Sequence, residues 1–423
     1  MSYSLNTVPK INDLLYTSDS NSNSRKVVAN SLNLKYNLWK HTTGDNFHIL
    51  KYKKEWLSVD SVETLGLLRS LIYKDDGTVV SFAPPKSLPA DKISFDNEEQ
   101  YVAETFVEGT MINMFYDKTA NTWEIATRSS VGGEMCFYME DGFKKENTFR
   151  SMFNEVCEYI EFDYNNYVGD NKNFVYSFVM QHPKNRIVKV ISEMKLYLVD
   201  VFEIVDKTVN IVDFRKLELN MCAKIKYPRQ EIITDANSLE QCKESCASMN
   251  TPYHIQGIVI KSNSGQRYKF RNPNYEHVRQ LRGNQPKLQY QYMALRQSGQ
   301  VKEYLQYYKE HNKPFEEFRK LMHDYTNQLF DNYRRCYVKK ERELKTFPDK
   351  YKTHMYALHH ELYLKQLRPE QKYVNKEVVV NYINSLHPAK QMFVMNYDMR
   401  KAHIDTTRQD EPVEEISSIE QTE

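Results

Sequence analysis

Between residues 45 and 283, apolar and polar positions alternate in short runs separated by turn residues, the period of half-buried strands. YVAETFVEGTMINMFYD, a KTAN turn and TWEIATRSS read as two antiparallel strands. FVYSFVMQHP and KLYLVDVFEIVDKTVNIVDF keep the same period, and HIQGIVIKSNSGQRYKFRN reads as a hairpin turned at Asn263, Ser264 and Gly265. ENTFRSMFNEVCEYI and SLEQCKESCASM interrupt the strands with helical spacing. Strands dominate and pair locally, so the expected class is α+β with antiparallel sheets.

After Gly283 the period changes. QVKEYLQYYKEH, FEEFRKLMHDYTNQLFDNYRRCYVKKEREL, YKTHMYALHHELYLKQL and NKEVVVNYINSLH all carry helical spacing, punctuated by Pro314, Pro348, Pro369 and Pro388. The predicted organisation is a flexible segment over residues 1–30, an α+β domain over 31–283, a helical domain over 284–408 and an acidic, disordered tail over 409–423.

Composition changes this picture little. Hydrophobic residues make up 40% and charged residues 27% of 423, which suits a folded chain. No apolar run reaches the ~18 residues of a membrane span, and the N-terminus lacks the basic-then-apolar order of a secretory signal. Six cysteines show no pairing rhythm, so reduced thiols in an intracellular compartment are expected. Cys242 and Cys246 share a helix face, but no further Cys or His pair completes a zinc site.

Charge is more informative. Net charge is only +2, yet residues 284–408 hold 23 Lys and Arg against 14 Asp and Glu. A basic C-terminal third suits a polyanion partner, RNA or another nucleic acid, although solvated helices share this texture. Arg334, Arg335, Lys339, Lys340 and Arg342, crowded on one predicted helix, form the candidate nucleic-acid surface. Tyr304, Tyr307 and Tyr308 lie at helical spacing, a stripe more often buried in a contact than used to stack bases. His359 and His360 are adjacent, so on a helix they diverge by ~100° and make a poor metal pair.

Four segments occur in a particular order: LLRSLIYKDDGTVVSFAPPKS (67–87), TFVEGTMINMFYD with WEIATRSSVGGE (105–134), FVYSFVMQHPKNRIV (174–188) and IQGIVIKSNSGQRYKFRNPNY (255–275). Each is weak alone. Together they resemble RNA ligases of the T4 RNA ligase 1 type, covalent nucleotidyltransferases, over about residues 45–283. The hairpin also resembles one in uncharacterised proteins of large DNA viruses. A viral source would put the protein in the host cytoplasm, the nucleus or the virion. The resemblance implies a nucleotidyltransferase (ATP-grasp-like RNA/DNA ligase) domain followed by a helical domain.

In such ligases a lysine amine attacks the α-phosphorus of ATP, and the AMP then passes to an RNA 5′-phosphate. The motif of lysine, any residue, acid and glycine is matched by Phe106, Val107, Glu108 and Gly109, so the nucleophile's position holds a hydrocarbon ring. The family's glutamates at two further positions are matched by Ser177 and Gln256. Phe cannot form a phosphoramidate, and two carboxylates that would hold metal or nucleotide are gone. No catalytic or metal-ligating residue is therefore assigned. Neither Lys74 nor Lys118 has the spacing to replace the missing amine.

Arg69, Glu108, Gly109, Arg128, Lys269 and Arg271 remain as candidate nucleotide- or phosphate-binding residues. Alternation places Lys269 and Arg271 on one strand face. Lys86 in PPKS and Arg186 in KNRIV are weaker candidates. The foremost expectation is a catalytically degenerate RNA-ligase-like protein that binds nucleotide or nucleic acid without forming lysyl–AMP. The alternatives are an active ligase with another nucleophile, for which alone ATP and Mg2+ would be cofactors, and a viral structural or assembly protein that keeps only the scaffold.

Overall fold

A computed structural model describes residues 1–16, 22–40, 46–88, 92–93, 99–137, 145–168, 171–215 and 222–402. The chain divides into two compact units, Met1–Arg282 and the remainder from Gly283.

The first unit is α+β and holds three sheets. A six-stranded antiparallel sheet runs in the order β1 (Ser2–Ser4), β11 (Thr208–Val212), β10 (Lys195–Val205), β9 (Phe174–Gln181), β7 (Thr110–Asp117) and β8 (Thr122–Ala126). A four-stranded sheet has β12 (Gln230–Ile233), β6 (Tyr101–Thr105), β13 (Gly257–Ser262) and β14 (Arg267–Arg271). Another has β2 (Leu34–Trp39), β3 (Phe47–Tyr52), β4 (Leu71–Lys74) and β5 (Val79–Phe82).

Strand alternation assigns the two faces of the large sheet. Ile112, Met114, Tyr176, Phe178 and Met180 point into one core, which α3 (Phe149–Tyr159) and α4 (Tyr164–Val168) help to form. The Thr148 hydroxyl caps α3 by accepting from the Ser151 N–H, and Phe149, Met152, Phe153 and Val156 form its buried face. Phe115, Val175 and Phe202 point the other way, into a core shared with β3, β4 and β5. With both faces covered, β9 is buried almost throughout, and it reads as a continuous apolar run.

The predicted single strand YVAETFVEGTMINMFYD is two strands in two sheets. β6 ends at Thr105 and β7 begins at Thr110. Gly109 makes this crossing with φ 153°, and a Cβ there would come within 2.3 Å of the Met180 carbonyl oxygen. Only glycine lets the chain pass that close to β9. The break was hidden because apolar residues, among them Phe106 and Val107, continue through it.

The flexible segment predicted for residues 1–30 is a second correction. β1 pairs with β11, and α1 (Ile11–Leu15) and α2 (Ser22–Ser31) follow; residues 17–21 lie outside the described residues. Leu5, Val8, Ile11, Leu14 and Leu15 are buried in the core that includes β3 and β4. Their three-residue spacing was the available signal, masked by the polar residues between them.

In the order of the chain, α5 (Ala236–Ala247) packs on β13, and α6 (Pro273–Arg282) ends the unit. Asp235 and Ser238 form a reciprocal capping box at the start of α5.

The second unit is helical: α7 (Leu288–Gln297), α8 (Val301–Tyr307), α9 (Asn312–Tyr333), α10 (Asp349–Tyr356), α11 (Lys376–Ser385) and α12 (Pro388–Met395). α9 continues into a π-helical turn over Arg334–Val338, and α10 into a π-helical stretch over Ala357–Leu367. Phe315, Met322, Tyr325, Leu329 and Tyr333 form the buried stripe of α9. Tyr304 and Tyr308 are buried, stacked on each other and on His311, so that part of the tyrosine stripe is interior. The acidic tail lies outside the described residues.

Leu14→Ala is expected to lower the stability of the first unit by about 2–5 kcal/mol. Asp13→Ala, on the exposed side of the same helix, should stay within about 0.5 kcal/mol of the parent. Urea denaturation checks both, and an unchanged midpoint for Leu14→Ala would contradict the N-terminal packing.

Candidate phosphate-binding site

The four sequence segments meet in the first unit. The Phe106 N–H donates to the Gly257 carbonyl at 3.0 Å, which ties the second segment to the fourth. The Leu88 N–H donates to the Arg267 carbonyl at 2.7 Å, and the Lys86 N–H to the Gly66 carbonyl at 2.9 Å. The Leu88 bond lays the residue that follows the first segment along β14, and the Lys86 bond ties the end of that segment back to its start. The Ser177 hydroxyl donates to the Asn113 side-chain carbonyl at 2.8 Å, joining the third segment to the second.

A buried ionic network underlies this convergence. Asp200, in the middle of β10, accepts from Arg267 and from Lys261, both at 2.8 Å. Lys261 also pairs with Glu104 at 2.7 Å, and Glu104 accepts from the Gln230 amide at 2.7 Å. Asp200 belongs to the six-stranded sheet, whereas Glu104, Lys261 and Arg267 belong to the β6–β13–β14 sheet. Burial pushes the Asp200 carboxyl up, but Arg267 and Lys261 more than offset it and hold it below the ordinary 3.8. Sequence reading missed this hub. Its signal was one acid inside the apolar run KLYLVDVFEIV, where an ionised group requires partners.

Above the network lies a concentration of cations. The Lys269 ammonium sits 4.6 Å from the centre of the Phe106 ring, and the Arg271 guanidinium 5.6 Å from it, so two cations lie within cation–π distance of one ring. Burial, together with Arg69, Arg267, Arg271 and Lys86, holds the Lys269 ammonium well below the usual lysine value. Burial lowers Lys86 as well, aided by Arg271, Lys54 and Arg69. Arg271 is paired with Glu276 at 2.6 Å and Arg267 with Asp200. Among the described residues, no carboxylate pairs with Lys269, Arg69 or Lys86.

The remaining candidates separate from this cluster in role. Glu108 spends its carboxylate on the backbone, accepting the N–H groups of Val188 and Lys189 at 3.1 Å. Burial raises its pKa, against those bonds and the Tyr275 hydroxyl. Arg186 donates to the Val188 carbonyl, so this arginine braces its own loop. Arg128 lies over the Tyr52 ring at 4.8 Å and donates to the carbonyls of Arg69 and Tyr52 at 3.4 and 3.3 Å. Lys74 is buried in an ion pair with Asp117 at 2.6 Å.

Carboxylate-held metal does not fit here. Ser177 is fully buried with Asn113 and Asp200 as its cross-strand neighbours, and Gln256 is a neutral amide whose Oε1 is buried without a partner. Asp200, Glu104, Glu108 and Glu276 are each engaged by cations or backbone donors. Among the described residues, no group of three His, Cys, Asp or Glu side chains could hold an ion.

In the second unit, the predicted basic helix ends early. Arg334 and Arg335 lie in the π-helical turn, and the chain bends at Lys340, which has φ 56°. Arg335 and Lys339 share Glu341 at 3.0 and 3.4 Å, so the five cations span a turn and a bend. His359 and His360 present rings at 85° to each other and stack separately on Tyr337 and Tyr356.

Asp200→Asn should cost about 3–5 kcal/mol, because it leaves Arg267 buried beside a neutral group. The pKa of Asp200 is depressed on folding, so its contribution is present above the unfolded value and lost as pH falls through the folded one. Below about pH 4 the parent should therefore lose stability more steeply than Asp200→Asn, in urea titrations at stepped pH.

No protein-family model matches the chain, and no curated protein matches it. Among solved structures it is similar to an archaeal ATP-dependent RNA ligase, form 1, at 13% identity and TM-score 0.41, covering 71% of this chain and 79% of that one. Form 2 of the archaeal ligase gives 12% identity and TM-score 0.41, over 92% of this chain and 80% of that one. A mutant of the Naegleria gruberi RNA ligase with ATP and Mn gives 10% identity and TM-score 0.32, over 44% and 52%.

Proposed function

We propose that this chain is an RNA-ligase-like protein that binds the phosphates of a nucleotide or nucleic acid at the Lys269 cluster without forming lysyl–AMP at Phe106. The observation that carries this reading is the surplus of cations around the ring: Lys269 lies against it with Arg271, Arg69 and Lys86 as charge neighbours, and of these four only Arg271 has a paired carboxylate among the described residues. A cluster of positive groups held close together is self-repulsive, and a phosphate relieves that repulsion. In the second unit, the basic residues Arg334 to Arg342 would make a contact of their own with a nucleic-acid backbone.

One observation favours a second reading, an active nucleotidyltransferase. The Lys269 amine lies nearest the position where the family carries its nucleophile, and its lowered pKa increases the neutral form. The phosphate reading is preferred because the same cluster lacks the carboxylates of a metal-assisted transfer.

Fluorescence anisotropy with a labelled 5′-phosphorylated RNA checks the first reading. Affinity should fall as salt rises, and Lys269→Met should weaken binding by about tenfold or more. Phosphate favours the protonated amine, so binding should take up a proton and weaken as pH rises through the lowered Lys269 pKa. A flat salt dependence would sink the reading. Incubation with ATP labelled at the α-phosphate separates the two: acid-labile label on the denatured chain, lost in Lys269→Met, would establish the second.

A further inference from the structure

We propose that the Lys269 cluster takes its polyphosphate or terminal phosphate as the metal-free anion, and that magnesium competes with the site for this ligand. The inference rests on the phosphate-binding reading above and adds its charge state. Three features carry it.

The first is the loss of ligands. Where the resemblance implies glutamates, Ser177 donates its hydroxyl to Asn113 and Gln256 presents an amide. A hard divalent cation needs oxygen donors that carry charge, and neither residue supplies one. The second is that the carboxylates that do remain are consumed. Asp200 is bound by Lys261 and Arg267, and Glu104 by Lys261 and Gln230. Glu108 holds two backbone N–H groups, and Glu276 holds Arg271 and Arg279. Releasing any of them to a metal would strand a buried or half-buried partner, which costs more than a surface contact returns.

The third is the sign of the remaining charge. Lys269, Arg69 and Lys86 have no paired carboxylate among the described residues, and Lys269 and Arg271 converge on one aromatic ring. A metal ion brought among these groups would be repelled by each of them. A nucleoside triphosphate complexed with magnesium also brings about two fewer negative charges than the free anion, so it gains less from the same cations. Protein cations here do the charge neutralisation that a divalent ion does elsewhere.

The test measures binding of labelled ATP, and of an RNA with either a 5′-phosphate or a 5′-hydroxyl, to the full chain in EDTA and in saturating magnesium at equal ionic strength. The phosphate-dependent ligand is expected to bind in EDTA, and magnesium should weaken ATP binding by about tenfold or more. Preference for the 5′-phosphate RNA over its hydroxyl form would identify an RNA end as the ligand; equal RNA binding with tight ATP binding would identify the nucleotide. Lys269→Met, shown folded by its circular dichroism spectrum, should lose the EDTA-phase binding. Binding that requires or is strengthened by magnesium overturns the metal-free inference and leaves phosphate binding standing. Absence of binding in both conditions overturns both, and unchanged binding by Lys269→Met removes the ligand from this cluster.

Discussion

The first unit depends on one buried carboxylate. Asp200 is the point where the six-stranded sheet meets the β6–β13–β14 sheet through charge, with Arg267 and Lys261 reaching it from the second sheet at 2.8 Å. Two sheets can pack on apolar side chains in many registers, but an ion pair with hydrogen-bond geometry accepts few. A buried pair of this kind adds little net stability over an apolar contact, and its effect here is to fix the mutual position of two sheets. Arg267 and Lys269 face the same way on β14, two residues apart, so fixing one fixes the other. The placement of Lys269 over Phe106 follows from a charge that Lys269 itself does not touch.

The same hub explains why the site is cationic. Asp200 and Glu104 are matched by Lys261 and Arg267, leaving that interior network balanced. Arg271 has Glu276, but Lys269, Arg69 and Lys86 have no paired carboxylate among the described residues and are surplus. A glutamate at residue 177 would stand beside Asp200 across the strands, two carboxylates in a dry setting, and serine avoids that repulsion. The neutral Ser177 beside Asp200 and the surplus of cations at Lys269 are therefore parts of one electrostatic arrangement.

Much of this was legible in the sequence. The period of alternation gave the strands and the change after Gly283, and the α+β class with antiparallel sheets follows from both. The four segments pointed to residues that do converge, including Phe106, Arg69, Lys269 and Arg271. Glu108 and Arg128 were legible as charges but not in their roles, because whether a carboxylate faces a cleft or a loop backbone depends on packing between distant segments. Asp200 was unremarked because its partners lie sixty residues away in another sheet. The split at Gly109 and the packed N-terminus show the same limit. Local period sees strands and helices, but not the sheet to which a strand belongs.

That N-terminus has a consequence for assembly. Ser2 pairs with Asn210, so β1 is made long before the strand that pairs with it. At synthesis rates of ~5–20 residues per second, β1 emerges roughly 10–40 s before its partner exists. During that interval Leu5, Ile11, Leu14 and Leu15 can meet β2 to β5, but β9, β10 and β11, which complete their core, are still absent. Contacts of such long sequence separation also slow the search for the native topology once the chain is complete. A folding path that keeps those leucines from other chains, by transient local helix or by a chaperone, is part of what this architecture requires.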